Sequence, residues 1–287
     1  MNDKVKNLTV RTLSGAFLVV LLLGATLLSV WGYVALLAVI AIVGLWEFYN
    51  LCDACGYKPQ RICGTAMLLA LLAVTVSILA GYETEWNGRL ITAFAVIFIL
   101  LMLPTVFVSE LFRDREHPIA NVATTIMGPV YVGLPIMAMT FMPYMLSNGE
   151  WNPWAAICYV LIIWANDSWA YLAGITFGRH RMCERISPKK SWEGFVGGVV
   201  AAVAFALLFG HLLGGQLLLW GVVGFVVAVT GVAGDFVESL FKRSANVKDS
   251  GAILPGHGGM LDRFDALFIS APYAFVVVVL IVKLLTV

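Results

Sequence analysis

Residues 89–109 read Arg-Leu-Ile-Thr-Ala-Phe-Ala-Val-Ile-Phe-Ile-Leu-Leu-Met-Leu-Pro-Thr-Val-Phe-Val-Ser, with a single charge at the first position. At a rise of about 1.5 Å per residue, a helix of this length crosses about 30 Å, the thickness of a bilayer's hydrocarbon core. The run has no polar stripe, so it is not the one-sided helix of a soluble domain. Comparable apolar runs cover 12–31, 33–51, 62–82, 119–146, 154–177, 194–214, 216–234 and 265–285. The expected fold is therefore all-α, a polytopic integral membrane protein of about nine transmembrane helices.

The composition excludes the alternatives. Hydrophobic residues make up 61% of the 287 positions and charged residues 12%, about half the charge of an ordinary soluble domain. A disordered chain needs low hydrophobicity and many charges. A membrane β-barrel would alternate apolar and polar residues rather than sustain these runs. Lys4, Lys6 and Arg11 precede the first run as in a signal peptide, yet that run is about 20 residues long with no clear cleavage site, so it is expected to be retained. The five cysteines show no disulfide pattern, and Cys52-x-x-Cys55 with Cys63 lacks a histidine nearby, which argues against zinc.

Charge distribution orients the helices. With a cytoplasmic N-terminus, sixteen of the 18 basic residues fall in cytoplasmic segments: Lys4, Lys6, Arg11, Lys58, Arg61, Arg113, Arg115, Arg179, Arg181, Arg185, Lys189, Lys190, Lys242, Arg243, Lys248 and Arg263. Only Arg89 falls outside, and Lys283 lies within the last span. This is the bias that the positive-inside rule demands. The chain divides into five N-terminal helices over 1–153 and a region over 154–287 holding helices 6–9. Two long cytoplasmic loops, 178–193 and 235–264, make the latter the expected catalytic part.

Three clusters there could carry chemistry. The first is Trp164-Ala165-Asn166-Asp167-Ser168, deep in the sixth span. A charge at that depth costs about 2.5–3.5 kcal/mol on insertion, so Asp167 is expected to face a polar cavity or a cation. Glu47, in Trp46-Glu47-Phe48, is a similar residue nearer the membrane face, with function and packing equally plausible. The second cluster follows Arg179-His180-Arg181 and Arg185: Ser187-Pro188-Lys189-Lys190-Ser191-Trp192-Glu193-Gly194. Ser187 reads as a helix N-cap and Pro188 as the first helical residue. Free backbone N–H groups beside two lysines would then bind an anion.

The third cluster is the densest. Asp235, Glu238, Ser239, Lys242 and Arg243 fall on adjacent helical turns, and Asp262 and Asp265 share a face at the start of the ninth span. Between them lie Lys248, Asp249 and Pro255-Gly256-His257-Gly258-Gly259. Carboxylates from two helix ends suit Mg²⁺, which takes few protein oxygens together with substrate phosphates. Lysine and arginine would neutralise the phosphates, and glycines permit close backbone approach to a ligand. His257 stays open between metal ligand, acid–base group and loop hydrogen bonder.

The run Ser239-Leu-Phe-Lys242-Arg243-Ser-Ala-Asn-Val-Lys248-Asp249-Ser-Gly251-Ala-Ile-Leu-Pro255-Gly-His257-Gly258-Gly259-Met-Leu-Asp262-Arg263-Phe-Asp265 resembles the defining motif of the phosphatidate cytidylyltransferases, the CDP-diacylglycerol synthases. Asn166-Asp167-Ser168-x-Ala170-Tyr171-x-x-Gly174 and the Ser187–Gly194 stretch resemble that family's upstream elements, so the specific similarity covers about 166–265. Trp46-Glu47-Phe48 is a weaker echo. The resemblance implies the reaction of CTP with phosphatidic acid to give CDP-diacylglycerol and pyrophosphate. It also implies Mg²⁺ with room for a second, monovalent cation, a homodimer, and a polar funnel open to cytoplasm and bilayer.

On that resemblance the metal-binding carboxylates map to Asp235 and Asp262, with Asp167 and Asp265 as support. Lys190, Lys242, Arg243 and Arg263 are the candidate phosphate clamps. Ser187, Lys189, Ser191, Ser239, Lys248, His257, Gly258 and Gly259 are further substrate contacts. The expected partners are CTP, phosphatidic acid and membrane lipids, with no nucleic acid. The expected location is the cell's inner or plasma membrane, with the active site facing the cytoplasm.

Rival functions fit less well. A CDP-alcohol phosphotransferase would need an Asp-Gly followed by spaced aspartates, and the chain has no Asp-Gly dipeptide. A transporter would suit nine spans and a buried Asp167, but it predicts inverted repeats, and the polar residues crowd one face instead. A lipid-kinase-like enzyme offers no reason for the long 239–265 motif.

Overall fold

The computed structural model describes residues 3–84, 88–256 and 258–286. Among the described residues, nine helices are long and apolar enough to cross a membrane. They are α1 (Asp3–Leu28), α2 (Val30–Ala54), α3 (Arg61–Thr84), α4 (Arg89–Glu110), α5 (Pro118–Met145), α6 (Pro153–Phe177), α7 (Trp192–Leu212), α8 (Leu217–Ser244) and α9 (Leu261–Thr286). The protein is a polytopic all-α membrane protein. A short antiparallel hairpin between α6 and α7, β1 (Arg181–Cys183) and β2 (Ser187–Ser191), is the single sheet among the described residues.

Local chemistry sets the boundaries. The break between α1 and α2 falls at Ser29, slightly before the Trp31-Gly32-Tyr33 turn expected from sequence. Ser29 is extended, and its Oγ accepts the Gly32 N–H at 3.0 Å, capping α2. A Cβ on Gly32 would sit 2.6 Å from the Ala25 carbonyl, so the tight corner depends on glycine. Helix α5 runs through Pro129, Pro135 and Pro143 without ending. At the other long loop, α8 continues to Ser244 and α9 starts at Leu261, so irregular backbone is confined to 245–260.

One large buried cluster draws Leu45 and Tyr49 of α2, Met139 of α5, Tyr159 of α6, Trp220 of α8 and Phe268 of α9 into a common centre. Helix α4 lies outside it, with only Ala95, Val106 and Glu110 buried along its length; its large apolar side chains suit lipid. Its end is tied down by polar bonds instead: Glu110 accepts from Gln60 Nε2 at 2.8 Å, Asn121 Nδ2 at 2.7 Å and Arg113 Nη1 at 2.7 Å. A buried carboxylate with three donors has its acceptor oxygens hydrogen-bonded, as buried polar groups require.

Successive crossings bring the segments 55–60, 111–117, 178–191 and 245–260 to the same face as the start of α1. Two bonds tie that start to the last of these segments. Arg11 Nε donates to the Gly256 carbonyl at 2.7 Å, and Ser14 Oγ donates to the Pro255 carbonyl at 2.9 Å. This face, carrying nearly all the basic residues, is called the basic face below.

Candidate active site

Small residues let α7 lie directly on α6. A Cβ on Gly198 would come 2.7 Å from Asn166 Oδ1 and 2.9 Å from the Asn166 carbonyl, and one on Gly194 would come 2.6 Å from the Ala170 carbonyl. Close glycine contact of this kind is how helices associate without a hydrophobic drive in lipid. It buries Asn166 and brings the start of α7, with the hairpin before it, beside Asp167.

The hairpin corrects the sequence reading at Ser187 and Pro188. Those residues open β2 rather than a helix, with Ser187 opposite Cys183 and Ser191 opposite Arg181. The α7 cap is Ser191, whose Oγ accepts the Gly194 N–H at 3.2 Å. The physical reason lies in Glu193. Its carboxylate accepts the backbone N–H groups of Arg179 and His180 at 3.1 and 3.2 Å, and lies 2.6 Å from His180 Nδ1. That clamp folds 179–191 back on itself before α7 begins. Pro188 has no N–H to offer, as an edge strand tolerates.

The hairpin aims Lys190 at α8, where it forms an ion pair with Asp235 and lies 4.8 Å from the Phe236 ring centre. Lys190, Asp235 and Asp167 together line a cavity of about 620 Å³, which Lys189, Arg181 and Tyr171 also line. Ser191 contributes to the wall through its position at the cap. Ser187 sits at the far end of β2.

A second, deeper cluster lies where α8 meets α9. Lys242 Nζ is 2.5 Å from Glu238 Oε2 and 2.7 Å from Asp262 Oδ1. Oδ2 of Asp262 accepts the backbone N–H groups of Gly259 at 2.7 Å and Ser250 at 2.9 Å. Gly258 approaches the same oxygen so closely that a Cβ there would be 2.7 Å away, and its φ of +85° suits glycine. Glu238 is 2% exposed, and its Oε1 has no hydrogen-bond partner among the described residues. Asp265 follows Asp262 on α9 and lies against α8. Gly234 permits this, because a Cβ there would strike the Asp265 carbonyl at 2.5 Å.

The remaining sequence-selected residues are placed as follows. Ser239 is half-buried on α8; Arg243, Lys248 and Arg263 are exposed on the basic face. His257 lies outside the described residues. No three described histidines, cysteines or carboxylates converge as a ready-made metal cage. Two residues that the motif reading left unassigned prove central to the geometry. Glu238 holds Lys242, a pairing visible in sequence as an acid four residues before a lysine. Ser250 had no such signal, because its partners lie in other helices.

The described geometry is matched by sequence comparison. A profile described as the cytidylyltransferase family matches residues 9–281. The chain belongs to that family. Among curated relatives, a phosphatidate cytidylyltransferase of Staphylococcus haemolyticus is 32% identical over 273 residues, covering 94% of this chain and 96% of that protein. Phosphatidate cytidylyltransferases of Haemophilus influenzae and Synechocystis are 30% and 29% identical, covering 92% and 96% of this chain, with 96% and 98% of their own lengths matched. The match to a cytidylyltransferase thus extends over the N-terminal helices, where sequence motifs alone carried only a weak echo.

Proposed function

We propose that this cytidylyltransferase is a phosphatidate cytidylyltransferase, joining CTP and phosphatidic acid into CDP-diacylglycerol with release of pyrophosphate. The observation that carries the reading is the cavity in which Lys190, Asp235 and Asp167 meet at the edge of an apolar bundle. Its wall combines cations for phosphate with the exposed apolar residues Tyr171 and Ile175 of α6, which suit acyl chains. The lipid's phosphate oxygen attacks the α-phosphorus of CTP; a P–O–P bond forms as the bond to pyrophosphate breaks. A phosphate monoester is already largely ionised at neutral pH, so no general base is needed. The protein's work is alignment and charge neutralisation. Lys190, Lys242, Arg243 and Arg263 would hold phosphates, with Ser187, Lys189, Ser191, Ser239, Lys248, His257, Gly258 and Gly259 as supporting contacts.

The donor set suits Mg²⁺. Asp167, Asp235, Glu238, Asp262 and Asp265 outnumber the paired lysines 190 and 242, and a buried Glu238 oxygen is without a partner among the described residues. Few protein oxygens plus substrate phosphates is the arrangement that ion prefers. Asp235 and Asp262 would hold it, supported by Asp167 and Asp265, and a second, monovalent cation would share the remaining negative charge. Bound there, Mg²⁺ supplies neutralisation of the triphosphate. As metal and substrate bind, Lys190 and Lys242 would exchange carboxylate partners for phosphate.

The reading further places the basic face in the cytoplasm and the protein in the cell's inner or plasma membrane, on the asymmetry of its basic residues. The homodimer follows from family resemblance. Purified protein in detergent, given CTP, phosphatidic acid and Mg²⁺, should yield CDP-diacylglycerol and pyrophosphate in equal amounts. Absence of both products from well-folded protein overturns the reading.

A further inference from the structure

Glu47 on α2 is 5% exposed, buried among the helices at the start of α9. Its carboxylate is satisfied by backbone. Oε1 accepts the Met260 N–H at 2.9 Å, and Oε2 accepts the Leu261 N–H at 2.8 Å. They belong to Leu261, the first residue of α9, and to Met260 immediately before it, where N–H groups lack acceptors within the helix. A negative charge there also meets the positive end of the helix dipole. Helix α9 is thus capped by a residue from a helix more than 200 positions earlier.

The loop is shaped around this carboxylate. A Cβ on Gly251 would lie 2.3 Å from Glu47 Oε1, and one on Gly259 would lie 2.5 Å from Oε2. Gly251 thus makes its close approach to Glu47, and Gly259 makes its own to both Ser250 and Glu47. Ser250 then connects Glu47 to the site. Its Oγ lies 3.1 Å from Glu47 Oε2 and 3.1 Å from Asp262 Oδ2, and its single proton serves both acceptors. The same Asp262 oxygen receives the Ser250 and Gly259 N–H groups, so Glu47, Ser250, the Gly259 backbone and Asp262 form one hydrogen-bonded unit.

We propose that Glu47 is a positioning residue for cytidylyl transfer: by capping α9 and holding Ser250, it sets the orientation of Asp262 against Lys242 and Glu238. The inference rests on the proposed function for its catalytic consequence, whereas the cap itself does not.

The test compares Glu47→Gln, Glu47→Ala and Ser250→Ala with the full-length wild type in detergent. Glutamine keeps the shape but turns an amide donor toward a backbone N–H. Amide exchange in 258–262 should rise in both Glu47 variants, with α5 protection unchanged. kcat per folded molecule should fall about tenfold to a hundredfold, with alanine worse than glutamine and the KM for CTP within about threefold. A role confined to folding would lower the yield of folded protein and leave kcat per folded molecule alone. Ser250→Ala should lower kcat by itself, and adding it to Glu47→Gln should cost less than the product of the single effects, because both act through Asp262.

Unchanged exchange at 258–262 in Glu47→Gln removes the cap. Normal kcat in that variant, or full multiplicativity with Ser250→Ala, removes the positioning role. If Glu47→Gln does not fold, Ser250→Ala alone decides: normal kcat overturns the connection to Asp262. A wild type that makes no CDP-diacylglycerol fails the functional reading instead, and the exchange result still decides the cap.

Discussion

Lys242 and Asp262 hold the ends of two successive helices together, Nζ to Oδ1 at 2.7 Å, across the loop that carries the densest polar motif of the chain. Each is also held from its other side, Lys242 by Glu238 and Asp262 by the backbone of Ser250 and Gly259. The pair is partly buried, so removing one member leaves the other only partly compensated, which costs more than loss of a surface ion pair.

Asp262→Asn should therefore be tested first. Asparagine keeps the size but presents an amide where the aspartate accepts from Lys242 on one oxygen and from Ser250 and Gly259 on the other. We expect the fold to survive with a loss of about 1–3 kcal/mol, and turnover to fall about a hundredfold or more. The measurement is turnover across a Mg²⁺ titration at saturating CTP and lipid, beside a thermal midpoint. Asp249→Asn, at an exposed loop position, is the comparison and should lose much less. Near-normal turnover of Asp262→Asn at low Mg²⁺ would sink the metal assignment.

Lys190→Ala removes the lysine paired with Asp235 from the cavity that both line with Asp167. Turnover or CTP affinity should drop by about tenfold or more, while membrane insertion is unaffected because the other basic residues retain the orientation signal. Lys190→Arg should recover part of the loss, since its charge is kept but its planar fork is not the same point charge. Kinetics of Lys190→Ala identical to wild type would reduce this lysine to a headgroup contact.

Gly198→Ala tests the α6–α7 seam. Its Cβ would press on the Asn166 carbonyl and side chain, and overpacking of this kind costs about 1–3 kcal/mol. Asp167 follows Asn166, so activity should fall together with the thermal midpoint. Gly24→Ala, where a Cβ meets nothing within 4 Å, should leave the midpoint equal or raised. If both variants behave alike, close packing at Gly198 is not what places Asp167.

Orientation is open to labelling. In an active variant lacking the five native cysteines, Ser244→Cys and Glu150→Cys, both exposed and at opposite helix ends, should react with an impermeant thiol reagent from opposite sides of the membrane. Ser244→Cys should react only from the cytoplasmic side. Labelling of both from one side contradicts nine crossings.

The helices were legible because lipid imposes its demand on every residue of a span: the run from Arg89 to Ser109 admits few other readings. The hairpin at 181–191 was not. Ser187-Pro188 carries the local signature of a helix start, and what overrides it is the Glu193 clamp, formed only once 179–180 folds back. Most site residues were named by their chemistry alone. Their pairings were hidden, because whether Lys242 meets Asp262 or a phosphate depends on how α8 and α9 are rotated against each other. Glu47 was the hardest to place. No periodicity links it to Met260 and Leu261, and only the packed bundle brings them together.

The position of Glu47 also bears on the order in which the protein can be completed. During synthesis α2 enters the membrane early, while the N–H groups that satisfy its carboxylate belong to the last helix. Until α9 is inserted, that carboxylate must stay hydrated near the membrane surface or bear a cost of a few kcal/mol. A chain terminated before residue 260 would thus lack more than Asp262. It would retain an unsatisfied acid in its second helix, and the hydrogen-bonded unit around Asp262 would come into being only with α9.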